Sequence, residues 1–164
     1  MHGIPNGRRL KGEGSGQNNR EVWERHTVVP GSESAGPNSL EISKDSKWLY
    51  IGGWGSQSFI RLSRGQTPIK KDSVPVGFRL DNLRWASDGT LLAAGQGGAA
   101  PSQTSDVVKV NPATLKFQEL IHHPNIDGFG VTTVAIQVAK ELWLGSVRGD
   151  RIAIFPLIQS PPPQ

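Results

Sequence analysis

Short apolar runs separated by turn residues fill most of the chain, and several alternate between apolar and polar positions. Ser39–Ser43 (SLEIS), Trp48–Gly53 (WLYIGG) and Ser58–Leu62 (SFIRL) form one group, with a turn at Lys44–Lys47. Asn82–Ala86, Leu91–Gly95 and Asp106–Val110 form a second, around the turn Ser87-Asp88-Gly89. Thr132–Ile136, Leu142–Gly145 and Arg151–Phe155 form a third, with a turn near Ala139-Lys140. Alternation of period two predicts half-buried strands, and no segment keeps a 3.6-residue period beyond two turns. The chain is predicted to be all-β.

The groups repeat. The second run of each ends in glycine, at Gly52, Gly95 and Gly145. Multi-stranded repeats of roughly 40–50 residues predict propeller blades, each a small antiparallel sheet whose first strand lines a central channel. The expectation is a partial β-propeller of about three four-stranded blades, with Glu21–Val29 as the outer strand of a preceding blade. The smallest common propellers have ~4 blades, so three do not close a ring. Either a second copy of the chain or a missing N-terminal half would complete it.

At 164 residues the chain fits one domain. Residues 1–20 are rich in Gly, Asn and charge and read as a flexible N-terminal segment, residues 21–158 as the partial propeller, and residues 159–164 as a Pro-rich tail. The absence of Cys excludes disulfides and thiolate metal sites. The net charge of +4 comes from scattered basic residues, clustered only at Arg8, Arg9 and Lys11, so no nucleic-acid partner is expected. No run approaches the ~18 apolar residues of a membrane span. Met1–Gly16 lacks the apolar centre of a signal peptide, and the pattern assigns no compartment.

Asp81-Asn82 interrupts an otherwise apolar strand. Read from the residues alone, it is either a turn whose side chains cap backbone donors or a pair of oxygen ligands. Adjacent side chains on a regular strand point to opposite faces, so both can be ligands only if the backbone is irregular there. Asn38 stands about one repeat earlier, at the entry of the preceding blade. Trp48 and Trp143 read as packing between blades. Trp54, set among Gly52, Gly53 and Gly55, reads as packing too, or as an aromatic at the channel mouth. Gly95-Gln-Gly-Gly98 reads as a flexible blade loop, because no Lys or helix follows in the phosphate-loop pattern. His122-His123 reads as exposed, in an outer strand or loop.

The stretches GPNSLEISKDSKWLYIGGWGSQSFIRL (36–62), LDNLRWASDGTLLAAG (80–95) and TTVAIQVAKELWLGSVRGDRIAIFPL (132–157) resemble the C-terminal half of six-bladed calcium-dependent propellers. That superfamily includes gluconolactonase/regucalcin, paraoxonase/arylesterase and strictosidine synthase-like proteins. The resemblance implies a calcium-dependent ester or lactone hydrolase acting on a small molecule, with Asn38, Asp81 and Asn82 as calcium ligands. Ser39 stands where the motif commonly has Gly. The superfamily's remaining ligands and its histidine base come from segments with no counterpart before Asn38, so the resemblance implies an incomplete site and no assigned catalytic residue. The alternatives are a non-catalytic propeller scaffold or binding module, and a strictosidine synthase-like protein.

Overall fold

Residues 27–157 are described by a computed structural model. They form eleven strands in three antiparallel sheets. Blade 1 runs β1 (Pro37–Ile42), β2 (Trp48–Gly53), β3 (Ser58–Ser63), β4 (Lys71–Pro75), each strand bonded to the next. Blade 2 repeats this with β5 (Arg79–Trp85), β6 (Leu91–Gly97), β7 (Thr104–Val110) and β8 (Phe117–Pro124). Blade 3 has three strands among the described residues, β9 (Thr132–Val138), β10 (Glu141–Ser146) and β11 (Ala153–Pro156). The predicted outer strand at Glu21–Val29 lies mostly outside the described residues, and its last three positions carry no regular structure.

Alternation sets which face of each sheet meets which neighbour. In blade 1, Tyr50 and Phe59 face blade 2 and pack against Phe78, Leu80, Leu83 and Leu91. In blade 2, the opposite face presents Leu92, Ala94 and Val107 to Ala135, Leu142 and Leu144 of blade 3. A buried side chain of this size contributes ~1.5–3 kcal/mol, so these two apolar seams hold the blades together. Polar contacts reinforce the first seam. Trp85 Nε1 donates to the Ile42 carbonyl at 3.2 Å, and the Trp85 ring meets Tyr50 edge-on at 5.6 Å. Arg61 lies over the Trp48 ring and donates to the carbonyls of Pro112 and Ala113.

Three details depart from the sequence reading. The glycine repeat slips by one residue in the middle blade. Gly52 pairs with Ser39 and Gly145 with Val134, just past an irregularity in the inner strand, but the matching position of blade 2 is Ala94. Gly95 instead pairs with Leu80 and lies so close to the Arg79 carbonyl that a Cβ has no room. Gly95–Gly97 are strand rather than loop, and Gly97 N–H donates to Asp106 at 2.7 Å. Trp48 packs at the seam between blades 1 and 2 as expected, whereas Trp143 shares a row with Ile136 and Ile154 on the face turned away from blade 2.

Candidate functional site

β1, β5 and β9 are the inner strands and lie side by side. Each carries a bulge near its entry. The register of β1 shifts between Pro37 and Ser39, that of β5 between Leu80 and Leu83, and that of β9 between Thr132 and Val134. The extra residues are therefore Asn38, one of the Asp81-Asn82 pair, and Thr133. A bulge re-aims side chains that strict alternation would send to opposite faces. This is the irregularity that the Asp81-Asn82 pair requires if both residues are to serve one site.

Asn82 Nδ2 donates to Asp81 Oδ1 at 3.0 Å and to the Thr133 carbonyl at 2.9 Å. Both amide hydrogens are thus spent, and the amide carbonyl oxygen is left as an acceptor. Burial raises the Asp81 carboxyl above its ordinary value, and the neighbouring Asn38 side chain works against that rise. Among the described residues no cation contributes to this balance. A half-buried carboxylate beside two side-chain amides is an all-oxygen donor set suited to calcium. It supplies fewer than the ~6–8 oxygens calcium takes. Among the described residues, no cluster of three or more His, Asp or Glu side chains exists, so this set does not suit a zinc or multi-carboxylate centre.

Above Asp81 lies a cleft of about 450 Å³. The equivalent hairpin of every blade reaches it. Trp54 comes from the β2–β3 turn, Gly98–Gln103 from the β6–β7 connection, and Val147 and Arg148 from the β10–β11 connection. Arg79 and the buried Gln96 complete the wall. Arg79 is held by a 2.6 Å bond from Nη1 to the Gly98 carbonyl. Trp54 also borders Asn38 in a neighbouring depression, so it stands at the channel mouth rather than in the core. A wider groove of about 880 Å³ runs along the outside of blades 1 and 2. Its Arg61 is already paired with Asp72, at 2.6 Å, and it is walled by two blades where the Asp81 cleft draws on three, so the Asp81 cleft is the better candidate.

Asn38, Asp81 and Asn82 are brought together on the inner strands. Thr133, Arg79, Gln96 and Arg148 belong to the same region and were missed in the sequence. Superposing the repeats marks Thr133 as the partner of Asn38 and Asp81, while Arg148 follows β10 as Trp54 follows β2. His122 lies on the outer strand β8, its side chain 59% exposed, with Nδ1 2.7 Å from the buried Asp106 carboxylate. It stands far from the inner strands, in keeping with the exposed outer-strand reading. His26 lies outside the described residues.

No protein-family profile matches the chain, and no curated protein matches it in sequence. Its fold matches two solved structures of proposed 6-phosphogluconolactonases. With that from Bacteroides uniformis ATCC 8492 the TM-score is 0.52 at 16% identity, over 76% of this chain and 37% of the other. With that from Bacteroides fragilis NCTC 9343 it is 0.52 at 18% identity, over 80% and 36%. The chain thus has the architecture of part of a propeller and spans little more than a third of these relatives' length.

Proposed function

We propose that the chain carries one side of a calcium-dependent lactone or ester hydrolase site. The observation behind this reading is the row of three bulged inner strands, which collects oxygen donors beneath a cleft walled by all three blades. Asp81, Asn82 and Asn38 would hold the ion. A calcium ion held there would supply a Lewis acid to polarise a substrate carbonyl toward attack by water. Asn82 keeps Asp81 and the Thr133 backbone in register, so the donors are placed before substrate arrives. Trp54 offers a flat face for a sugar-like ring. Arg79 and Arg148 suit an anionic substituent, since guanidinium groups pair well with carboxylate or phosphate. Phosphorylated sugar lactones, the substrates named for the two structural neighbours, have that combination of groups.

A non-catalytic binding module is the second reading, and one observation favours it. His122, the one histidine with a carboxylate partner among the described residues, stands on an outer strand, away from Asp81. Calorimetric calcium titration, combined with a hydrolysis assay on 6-phosphogluconolactone, separates the two. Calcium binding that is lost in Asp81→Asn, together with turnover, supports the hydrolase. Binding without turnover leaves the module. Absence of calcium binding to the folded chain sinks the metal-dependent reading.

A further inference from the structure

Every second connection of the up-and-down blades lies at the end opposite the cleft. These are the turns β1–β2 (43–47), β3–β4 (64–70), β5–β6 (86–90), β7–β8 (111–116) and β9–β10 (139–140). The blades point the same way. Trp85 at the foot of β5 donates to the Ile42 carbonyl at the foot of β1, while Asn82 meets Thr133 near the opposite end. Basic residues that are scattered along the sequence are gathered here by the topology. Lys44, Lys47, Arg64, Lys70, Lys116 and Lys140 all fall in these turns, and all are exposed.

The carboxylates of the same turns are engaged. Asp45 lies 3.9 Å from Lys47 and accepts from the Ser43 hydroxyl, and Asp88 binds Lys109 of β7. Among the described residues, Lys44, Arg64, Lys70, Lys116 and Lys140 have no carboxylate partner. The cleft end differs. Its β2–β3 and β6–β7 connections carry no charged residue, and Arg148 and Arg151 share the β10–β11 connection with Asp150. Apolar side chains stand among the cations of the far end, one in each blade. Ile69 beside Lys70 is 43% exposed, Phe117 beside Lys116 is 41%, and Val138, at the last position of β9 before Lys140, is 41%.

We propose that this end docks on an anionic lipid bilayer, with the lysines at the headgroups and Ile69, Phe117 and Val138 entering the interface. Such a surface takes both halves of the pattern. Its negative potential attracts the ammonium groups. Its headgroup boundary receives apolar side chains that would otherwise face water. A nucleic acid duplex accounts for the cations alone, through its phosphates, and leaves the apolar residues without a role. Three blades side by side carry the basic and apolar pairs on separate turns, so a flat partner meets them together. Docked in this way, the protein keeps its cleft turned toward water. The surface lies at the opposite end from Asp81 and does not depend on the hydrolase reading.

Vesicle co-sedimentation of the full chain tests this, with vesicles of equal parts phosphatidylserine and phosphatidylcholine set against phosphatidylcholine alone. Binding is expected to the anionic vesicles only, and to weaken as salt is raised. Each lysine near such a surface contributes about fivefold, so the triple variant Lys70→Gln, Lys116→Gln, Lys140→Gln is expected to bind about 100-fold more weakly. Ile69→Ser combined with Phe117→Ser is expected to weaken binding about tenfold at unchanged charge. Arg151→Gln, at the cleft end, is expected to bind as wild type does. All these side chains are exposed, and an unchanged circular dichroism spectrum verifies the fold. A wild type that ignores anionic vesicles overturns the proposal. So does a triple variant that binds like wild type, which would assign the binding to other cations such as Arg8, Arg9 and Lys11. An equal loss in Arg151→Gln would reduce the effect to net charge and overturn it. Displacement from the vesicles by a random-sequence DNA duplex, with the Ile69 and Phe117 variant binding as wild type does, would make this a nucleic-acid face and overturn it too.

Discussion

Asn82 Nδ2 lies 2.9 Å from the carbonyl oxygen of Thr133 and thereby ties the inner strands of blades 2 and 3 at their bulges. A bulged carbonyl has lost its ladder partner, and a side-chain donor from the next blade replaces it. Asn82→Ala leaves that carbonyl and Asp81 without this donor. The expected cost is ~1–3 kcal/mol, read as a drop in the urea midpoint. Asn82→Asp should cost more, since it places a second carboxylate beside Asp81.

Asp81→Asn should stabilise the metal-free protein. The folded carboxyl holds its proton to higher pH than the unfolded one, whose value is near 3.8. The folded state therefore binds more protons just above that pH. Stability from this group is fullest below the unfolded value and declines as pH rises through the folded one. Thermal midpoints between pH 3 and pH 7 in a chelator should show the decline in wild type and a weaker one in the variant. Added calcium should raise the wild-type midpoint alone.

Asp88 behaves in the opposite sense. Its bond from Lys109, with Nζ and Oδ2 2.5 Å apart, and the Thr90 hydroxyl hold its carboxyl down to about 2. Stability from this group is present above the unfolded value of 3.8 and is lost as pH falls toward 2. Asp88 is 49% exposed, so solvent screening limits the effect to less than about 1 kcal/mol. Urea unfolding of wild type and Asp88→Asn should differ at pH 5 and converge at pH 2.

The Asp106 carboxylate raises the His122 imidazole above its ordinary value, through the 2.7 Å bond to Nδ1. The contribution is present below the unfolded value near 6.5 and fades as pH rises through the folded one. A proton NMR titration should place His122 above 6.5 in wild type and bring it down in Asp106→Asn. The variant should also unfold more easily at neutral pH. Asp106 Oδ2 accepts from Gly97 N–H and the Thr104 hydroxyl inside the blade, and an amide in its place can point only one oxygen.

Gly95→Ala should be among the most disruptive single-methyl changes in the chain, because its Cβ would meet the Arg79 carbonyl, which is backbone and cannot swing away. A loss of ~1–3 kcal/mol is expected from overpacking, measured by chemical unfolding. Gly77→Ala provides the contrast. Nothing stands within 4 Å of its Cβ, so the cost there is only that of a left-handed backbone at φ 85°.

The inner strands were legible because apolar and polar side chains alternate along them, even in β1, where Leu40 and Ile42 are exposed. β2 was read to its exact ends, and β1, β5 and β9 within a few residues. The outer strands β4 and β8 were not read. Lys71–Pro75 and Phe117–Pro124 bury almost nothing, so burial imposed no period on their sequence. The site divides the same way. Asp81-Asn82 stood out because polar side chains interrupted an apolar strand, and Asn38 joined them as a candidate ligand through the resemblance to calcium-dependent propellers. Thr133 acts through its carbonyl oxygen, which every residue possesses, so no side-chain type betrays it. Arg148 joins the cleft through a hairpin whose place is fixed only when blade 3 docks on Leu92 and Val107.

The oxygen donors come from kinks in strands, whereas the cleft walls come from the hairpins that cap them. These two sets of residues can change independently. Lengthening the β6–β7 connection, or replacing Trp54 and Arg148, would redraw what the cleft admits without moving Asp81. In the proposed site the donor-bearing strands are thus structurally separate from the hairpins that would select a ligand, and altered selectivity can be sought by varying the hairpins alone.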